Sequence, residues 1–307
     1  MTPDPVADVG ATRFAAARFA PAPTGRLHLG HLANAIYAWG LASRFGARVL
    51  LRIEDHDRQR CRPEYEAALL DDLDRLGIAA DAPSTDELRL GRSSYRQSDN
   101  GPAYDAAVAQ LSIVTDVYAC ECSRSTFATW REANGRAWSG PGCPSGCRSR
   151  ALERRPDLGL RVALGAGDEA WEDLLLGPHA GAVAGEGDLL VRDRNANWSY
   201  AFCVVVDDIR HGVDLVVRGE DLLEATPAQI RLGQLLGRGT APTFAHHPLI
   251  RRPDGTKLSK AEGATSLGEL LDAGASPEAL FGRAAAAVGL VDAPRELRFE
   301  DAIALLR

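Results

Sequence analysis

The first eighty residues alternate between short apolar segments and segments with helical spacing, and this alternation restricts the fold more than any other feature. Apolar segments typical of strands occur at 18–20 and 48–53. Each is followed by a segment with helical periodicity, at 29–45 and 63–76. The sequence therefore predicts an α/β fold built on a Rossmann-type parallel sheet.

The rest of the chain continues this pattern after one interruption. Residues 118–185 contain four of the six cysteines together with Gly-rich loops, which indicates an insertion. Beyond it, further strands are predicted at 189–191, 203–206 and 215–218. Further helices are predicted at 227–236 (with Thr226 as N-cap), 267–273 and 277–288.

These elements suggest four parts that follow a disordered start at 1–12. The predicted parts are a first half of the sheet domain (13–115), an insertion (116–187), a second half of the sheet domain (188–245) and a C-terminal loop with helices (246–307).

The composition is that of a soluble globular protein. Of the 307 residues, 45% are hydrophobic and 25% are charged. No apolar run reaches the roughly 18 residues that indicate a membrane-spanning helix. Residues 1–10 contain two aspartates and no basic residue, which is not the pattern of a secretory signal. We therefore expect a cytoplasmic protein without a membrane segment. We also expect it to be a monomer.

The net charge of −7 gives no general indication of nucleic-acid binding. One stretch differs, because residues 121–161 contain eight arginines against four acidic residues, a local charge of +4. This stretch is either an ordinary solvated face or a surface that binds a nucleic acid. In the second case, replacing Arg148 and Arg150 by glutamate is expected to weaken that binding.

Only two of the 35 basic residues are lysines, Lys257 and Lys260, and they lie three residues apart. Arginine is used everywhere else, so chance is a poor explanation for two clustered lysines. Ammonium groups on a glycine-containing loop can clamp the phosphates of ATP and neutralise the charge that develops as pyrophosphate leaves. The two lysines are therefore candidate catalytic and ATP-binding residues.

A second candidate phosphate site lies at the start of the first helix, in His28-Leu29-Gly30-His31. A helix N-terminus offers unpaired N–H groups and a partial positive charge, which favour phosphate. The two histidines share a helical face and can donate hydrogen bonds to phosphate oxygens. Gly30 would let a base or ribose approach the backbone. We predict that His28, Gly30 and His31 bind ATP and that both histidines are catalytic.

Four cysteines form two close pairs, Cys120 with Cys122 and Cys143 with Cys147, which are separated by twenty residues. Thiolates in such pairs match a tetrahedral zinc site, although four reduced structural cysteines would show the same spacing. No position for a catalytic water is evident, so a zinc ion bound here would be structural.

Taken in order, these blocks resemble the class I aminoacyl-tRNA synthetases. His28–His31 is similar to their HIGH motif and Lys257–Ala261 to their KMSKS motif. Four further segments resemble the glutamyl branch of that family: Arg18–Gly25, Arg52–Asp55, Val206–Asp208 and Val217–Leu222. The resemblance covers residues 13–265. It implies a class I synthetase Rossmann-type parallel sheet with a zinc-containing insertion, which faces the acceptor end of tRNA, and a short helical C-terminal part.

The resemblance also implies a glutamate pocket. In a parallel sheet, Arg18 and Arg218 at strand ends would point into the crevice at the carboxyl edge, where each can bind a carboxylate. Glu54 would receive the ammonium group of the substrate, and Tyr200 would donate its hydroxyl. The residues implied in glutamate binding are Arg18, Phe19, Ala20, Pro21, Ala22, Glu54, Tyr200 and Arg218.

Several positions depart from the pattern of the family. Ala22 stands where the family usually has serine, so one hydroxyl contact to the substrate is missing. Val204 and Leu222 stand where glutamyl-tRNA synthetases tend to carry asparagine and, in some, an aromatic residue. Both changes make the wall of the pocket more apolar. Cys143 fills a position that tyrosine often holds in the metal site of the family.

A full glutamyl-tRNA synthetase continues into a helical anticodon-binding domain, whereas this chain stops at Arg307. A catalytic domain alone resembles the glutamyl-Q tRNA(Asp) synthetase family. That resemblance implies activation of L-glutamate with ATP and Mg²⁺, and transfer to queuosine in the anticodon stem-loop of tRNA(Asp). The alternatives are a short true glutamyl-tRNA synthetase charging the tRNA 3′ end, a non-catalytic paralogue that binds tRNA or glutamate, and a related ligase acting on a small amine.

Overall fold

The structure is a computed structural model, and it describes residues 13–139, 141–184, 187–251 and 265–307. The described strands are β1 (Ala16–Phe19), β2 (Arg48–Leu51), β3 (Val117–Cys120), β4 (Gly159–Val162), β5 (Asp168–Asp173), β6 (Gly177–Ala182), β7 (Leu189–Arg192), β8 (Leu215–Gly219) and β9 (Thr243–His247). The described α-helices are α1 (Leu29–Phe45), α2 (Pro63–Arg75), α3 (Thr85–Arg89), α4 (Gly101–Val114), α5 (Arg124–Asn134), α6 (Cys147–Arg150), α7 (Tyr200–Arg210), α8 (Thr226–Leu235), α9 (Leu267–Asp272), α10 (Pro277–Ala287) and α11 (Phe299–Ile303).

A large sheet contains six strands in the order β2-β1-β8-β9-β5-β6. Its first five strands pair in parallel, and β6 returns antiparallel to β5. The predicted Rossmann-type parallel sheet is thus confirmed. Strand β1 lies between β2, its neighbour in the chain, and β8, which comes much later. In such sheets, ligands bind in the crevice outside the carboxyl ends of the strands where the strand order reverses.

Helix α1 begins beside this crevice, and histidine side chains cap its first turn. His28 is the N-cap residue and accepts a hydrogen bond from the Gly30 N–H at 3.1 Å, while His31 accepts one from the His28 N–H at 3.0 Å. The helix ends at Gly46, whose φ of 71° lies in the left-handed region that favours glycine. Most of α1 is buried between the sheet and helices α10 and α11, which holds its N-terminus in place.

A smaller antiparallel sheet, in the order β3-β4-β7, lies next to the cysteines. Strand β7 belongs to this small sheet, although the sequence suggests that it resumes the large one. Conversely, β5 and β6 lie inside the predicted insertion at 116–187 but pair within the large sheet. These assignments depend on long-range pairing, which local apolar patterns do not reveal. The four-part division itself stays a prediction.

The predicted strand at 203–206 is wrong, because these residues lie inside helix α7. Ser199 caps this helix by accepting a hydrogen bond from the Phe202 N–H. The apolar run is buried because α7 packs against α4, α8 and β7. A helix enclosed on several sides carries continuous apolar residues, and a run of valines then resembles a buried strand.

The remaining predicted helices agree with α8, α9 and α10 to within one residue at either end. The predicted role of Thr226 is wrong, since Ala225 is the N-cap residue and Thr226 is the first residue of α8. Its hydroxyl instead accepts a hydrogen bond from Arg218 at 2.8 Å. Among the described helices, none is both long and apolar enough to span a membrane.

Asp72 on α2 is a buried carboxyl, only 3% exposed, that faces the start of α9 at Gly268. Within the described part of the chain its Oδ2 has no hydrogen-bond partner. Burial raises the pKa of Asp72 to about 6, although the cations Arg75 and Arg26 oppose the shift. Above that pH, the charged carboxylate of Asp72 therefore destabilises the folded state.

Replacing Asp72 by asparagine is expected to raise the free energy of unfolding at pH 8 by about 1–2 kcal/mol. The pKa is raised from 3.8 in the unfolded chain to about 6 in the folded state, so the cost of the charge is fully present above pH 6 and declines between pH 6 and pH 3.8. The gain should therefore shrink towards pH 5. Urea unfolding at pH 5, 6.5 and 8 measures it, and a gain that is independent of pH would contradict this account of Asp72.

Candidate active site

The carboxyl ends of β1, β2 and β8 bring the predicted glutamate-binding residues to one edge of the large sheet. Arg18 lies near the end of β1, Glu54 follows β2 and Arg218 lies near the end of β8. All three are buried, with exposed fractions of 4–5%. Tyr200, the first residue of α7, is partly buried and completes the group.

A buried network of ion pairs holds Arg18 and Glu54. The Arg18 Nε donates to Asp208 Oδ1 at 3.2 Å. Arg52 donates to the same Asp208 oxygen at 2.7 Å and to Glu54 Oε1 at 2.9 Å. Burial by itself would raise the pKa of Asp208, but the charges of Arg18 and Arg52 hold it below its ordinary value. The Asp208 carboxylate at the centre of this network is therefore charged at neutral pH.

Arg218 differs from Arg18 because its hydrogen-bond partners carry no formal negative charge. Its Nε donates to His246 Nε2 at 3.0 Å and its Nη1 to the Gln229 carbonyl oxygen at 2.5 Å. Its Nη2 donates to the Leu222 carbonyl at 3.3 Å and to the Thr226 hydroxyl at 2.8 Å. Burial lowers the pKa of Arg218 from its ordinary value, although Tyr200 opposes this shift. A buried cation with such partners is suited to binding an anionic group of a ligand.

Tyr200 lies within electrostatic range of Glu54 and Arg218. Burial and the negative charge of Glu54 raise the pKa of its hydroxyl, while Arg218 and Arg18 lower it. The hydroxyl therefore keeps its proton at neutral pH and can donate a hydrogen bond.

His28 and His31 lie at the start of α1 with their ring centroids 4.1 Å apart. Each accepts a backbone N–H at its Nδ1. In the neutral form the proton of each ring is therefore on Nε2. Both histidines have a donor N–H as predicted, and each ring is oriented by its own helix turn.

Gly30 also has a structural role beside His28, and the approach of a base or ribose to its backbone stays a prediction. A Cβ added to Gly30 would lie 2.8 Å from Cε1 of His28. Any larger residue would therefore displace the His28 ring from its capping position. Gly30 makes room for the histidine, which in turn caps the helix.

The segment Phe19–Ala22 contributes mainly through its backbone. The Phe19 carbonyl accepts the Arg52 N–H at 3.0 Å, and the Pro21 carbonyl accepts the Glu54 N–H at 3.2 Å. The Phe19 ring packs against Trp39 in the core. Ala20 and Ala22 are half-buried beside the crevice. Lys257 and Lys260 lie outside the described residues.

The thiols of Cys120, Cys122, Cys143 and Cys147 come together beside the small sheet. All four are buried, and their Sγ atoms lie within 4.8 Å of one another. A tetrahedral zinc site with Zn–S bonds of about 2.3 Å places its sulfurs about 3.8 Å apart, and the Cys122 and Cys147 sulfurs are 3.9 Å apart. Cys143 Sγ also accepts the Cys147 N–H at 3.4 Å, a contact that would support a thiolate ligand. The four residues fit a zinc ion.

A cleft of about 960 Å³ lies between the cysteine-bearing segment and the loop that follows β2. Its lining includes His56 of that loop and Tyr200, one of the predicted glutamate-binding residues. Its opposite wall includes Trp138 and the exposed arginines Arg124 and Arg131 of α5. A cleft of this volume accommodates a group larger than an amino acid.

The family model for the catalytic domain of class I tRNA synthetases (E and Q) matches residues 15–290. This match covers most of the chain. The chain belongs to the class I tRNA synthetases of the E and Q type. It is therefore a ligase of this family, whose members use ATP with Mg²⁺ and have tRNA and an amino acid as partners.

The relatives of this class I synthetase differ in how much of their length the chain covers. The glutamyl-Q tRNA(Asp) synthetase of Symbiobacterium thermophilum is 39% identical over 294 residues, which cover 93% of this chain and 90% of that protein. The glutamate–tRNA ligase 2 of Syntrophus aciditrophicus is 36% identical over 86% of this chain but only 55% of its own length. The crystal structure of a glutamate–tRNA synthetase from Elizabethkingia anophelis matches with a TM-score of 0.74 and 25% identity, over 95% of this chain and 65% of that one.

Several residues of this class I synthetase site are not among the predicted ones. Arg52 and Asp208 lie inside segments that resemble the glutamyl branch, so the sequence indicates that they are near the site. It does not indicate that they form the centre of a network of ion pairs. Gln229, His246 and Asp173 have no signal in the sequence. His246 reaches Arg218 because β9 lies beside β8, and Asp173 reaches His246 because β5 lies beside β9. Gln229 comes from helix α8.

Proposed function

We propose that this enzyme activates L-glutamate with ATP and transfers the glutamyl group to queuosine in the anticodon stem-loop of tRNA(Asp). The main support for glutamate as the substrate is the environment of Arg218. It is a buried cation whose hydrogen-bond partners are formally neutral. The choice of acceptor follows the relative that the chain matches along nearly its whole length, which is named for that reaction.

In this proposal the pocket binds glutamate by charge complementarity. Arg218 binds the side-chain carboxylate, with Tyr200 donating a further hydrogen bond. Glu54 receives the ammonium group, since Arg52 bonds to Oε1 and fixes its carboxylate towards the crevice. Arg18 lies beside both groups and is held by Asp208, so it can bind the remaining carboxylate.

Activation joins the α-carboxylate to the α-phosphorus of ATP, and pyrophosphate leaves. His28 and His31 would donate Nε2–H hydrogen bonds to phosphate oxygens at the N-terminus of α1, where the helix dipole also favours negative charge. Lys257 and Lys260 would neutralise the departing pyrophosphate. Mg²⁺ bound with ATP would supply further neutralisation. These residues stabilise charge that develops in the transition state, which is where such interactions accelerate a reaction.

In the transfer step, a hydroxyl of the queuosine cyclopentenediol attacks the carbonyl carbon of the mixed anhydride, and AMP leaves. The cleft beside Tyr200 offers the route by which an anticodon loop would reach that carbon. A vicinal diol resembles the ribose diol of a terminal adenosine, so one acceptor site suits either group. We further propose that the enzyme acts as a monomer in the cytoplasm, where its substrates ATP and tRNA are found.

We propose that Cys120, Cys122, Cys143 and Cys147 hold a structural zinc ion. The cluster lies between the small sheet and α5, next to the cleft but away from the glutamate pocket. A four-thiolate site has no open position for substrate. Its role would be to hold the cleft wall that faces tRNA.

ATP–pyrophosphate exchange tests the activation step. The enzyme should catalyse exchange with L-glutamate in the absence of tRNA, and should exchange far more slowly with glutamine or cysteine. Exchange that depends on another amino acid would contradict the proposed pocket. The absence of any exchange would favour a non-catalytic paralogue.

A true glutamyl-tRNA synthetase is the second candidate, because the chain is also 36% identical to a glutamate–tRNA ligase. Acylation of tRNA(Glu) and of tRNA(Asp), with and without queuosine, separates the two. Labelling restricted to queuosine-containing tRNA(Asp) is the expected result. Labelling restricted to tRNA(Glu) would exclude the proposed function.

The surface that binds tRNA is better placed at the cleft than at Arg148 and Arg150. Those two arginines form ion pairs with Asp116 and Glu121. By contrast, no carboxylate in the described part of the chain pairs with Arg131, which lines the cleft. An unpaired arginine is available to neutralise phosphate.

Arg131→Glu is therefore expected to raise the KM for tRNA about tenfold and to reduce the salt dependence of tRNA binding. Glutamate-dependent pyrophosphate exchange without tRNA should stay unchanged. Arg150→Glu, at an equally exposed arginine of the same segment, is the matched control and should have a smaller effect. A larger effect of Arg150→Glu than of Arg131→Glu would show that tRNA binds on the other face.

A further inference from the structure

Behind Arg218 lies a buried pair, His246 on β9 and Asp173 at the end of β5. Both side chains are fully buried. His246 Nδ1 lies 2.5 Å from Asp173 Oδ2, and His246 Nε2 lies 3.0 Å from the Arg218 Nε. The three side chains thus form a line that leads from the interior of the sheet to the glutamate pocket.

The protons in this line can be assigned from donor chemistry alone. Arginine only donates, so His246 must accept at Nε2 and carry its proton on Nδ1. That proton is donated to Asp173, an acceptor that the backbone N–H groups of Leu175, Leu176 and His246 also surround. The Asp173 carboxylate therefore selects the one tautomer of His246 that can accept from Arg218.

The same arrangement keeps the positive charge of Arg218 available. A carboxylate in direct contact with Arg218 would neutralise it and compete with the substrate. Here the nearest carboxylate along this line is one imidazole away. The guanidinium donates to an imidazole, an amide, a hydroxyl and a backbone carbonyl, and the Tyr200 side chain also interacts with it. The ring of Phe244 adds a cation–π contact, with the guanidinium carbon 5.0 Å from its centroid.

We propose that Asp173 and His246 are positioning residues for glutamate recognition, which together aim the Arg218 guanidinium into the pocket and leave its charge free for the side-chain carboxylate of the substrate. This inference rests on the proposed function, since it concerns the same pocket. It adds two residues from β5 and β9 that do not touch the substrate. It also explains why His246 lies between Asp173 and Arg218, which would otherwise form an ion pair.

Two substitutions of His246 separate positioning from simple packing. His246→Leu removes the acceptor for Arg218, whereas His246→Gln offers an amide oxygen close to the position of Nε2. His246→Leu is expected to raise the KM for glutamate in pyrophosphate exchange about 10- to 100-fold, the effect of losing a hydrogen bond to a charged group. The KM for ATP should change less than twofold. His246→Gln should recover most of the loss.

A double-variant cycle tests whether His246 acts through Arg218. Lysine at position 218 has no Nε–H to donate to His246 at that place, so His246→Leu should add little to the KM of Arg218→Lys. The thermal shift produced by glutamate gives a binding readout independent of catalysis and should fall in parallel. The control is His179→Leu, which replaces a half-buried histidine on β6. It should leave the KM for glutamate and the KM for ATP unchanged.

The inference would be overturned by three results. The first is a KM for glutamate in His246→Leu within threefold of the wild type. The second is an equal rise in the KM for glutamate and the KM for ATP. The third is full additivity of the effects of His246→Leu and Arg218→Lys on the KM for glutamate. Wild-type enzyme without glutamate-dependent exchange would overturn the proposed function, and this inference with it. Normal wild-type exchange together with an unaffected His246→Leu would overturn the inference alone.

Discussion

Arg218→Lys is expected to lower kcat/KM for glutamate in pyrophosphate exchange by about 100- to 1000-fold, the range expected when one member of a buried charge pair is altered. Arg218 uses its Nε and both Nη groups at once, bonding His246, Gln229 and Thr226. A lysine ammonium keeps the charge but cannot make this planar set of bonds. The loss should therefore appear in glutamate recognition, with the KM for ATP nearly unchanged.

Arg231→Lys is a matched control for this substitution. Arg231 is a half-buried arginine, less enclosed than Arg218, which bonds Glu169 and the Leu164 carbonyl and lies outside the pocket. It should retain wild-type kinetics even if its stability falls. If Arg218→Lys retained more than about a tenth of the wild-type kcat/KM, a loss below the few kcal/mol expected for a buried charge pair, the assignment of Arg218 to the substrate carboxylate would be wrong.

The second large effect is expected at the cysteine cluster. Cys147→Ser should reduce the zinc content from one ion per chain to a small fraction, because serine is a poor zinc ligand. The small sheet and α5 should then lose protection against hydrogen exchange, since a structural zinc ion contributes directly to local folding. The large sheet should stay protected, so glutamate-dependent exchange should fall much less than tRNA acylation.

Cys61→Ser provides the control for this prediction. Cys61 is partly exposed and lies outside the cluster, so its replacement should leave the zinc content unchanged. Elemental analysis of the purified protein measures the metal, and hydrogen-exchange mass spectrometry locates the loosened segment. Wild-type protein free of zinc, with its insertion well protected, would show that the four thiols are a reduced structural cluster instead.

Strands β1, β2 and β8 of the large sheet were predictable because they are short apolar runs bounded by loops, whereas β5, β6 and β9 were not predicted. Helix α1 matches the prediction at both ends, and α2 to within one residue. Helix α7 was not predictable, because Cys203–Val206 is apolar on every side and packing alone makes it helical. The pairing of β5 with β9, and of β7 with β4, also depends on contacts between distant parts of the chain.

The candidate site was predictable to the extent that its residues end parallel strands. Arg18, Glu54 and Arg218 could be placed at one edge of the sheet for this reason. Asp173 lies 73 residues before His246, and no local pattern connects the two. The residues proposed to touch the substrate therefore lie in recognisable sequence motifs, whereas the residues proposed to position them are found only from the fold.

The most direct test of the central claim is the site of acylation on tRNA(Asp). Queuosine-containing tRNA(Asp) that lacks its 3′-terminal adenosine is incubated with the enzyme, ATP and labelled glutamate, and then cleaved to locate the label. The account predicts labelling at the rate of intact tRNA, with the label in the anticodon fragment. It predicts no labelling of tRNA(Asp) without queuosine. Labelling that requires the terminal adenosine and not queuosine would contradict it.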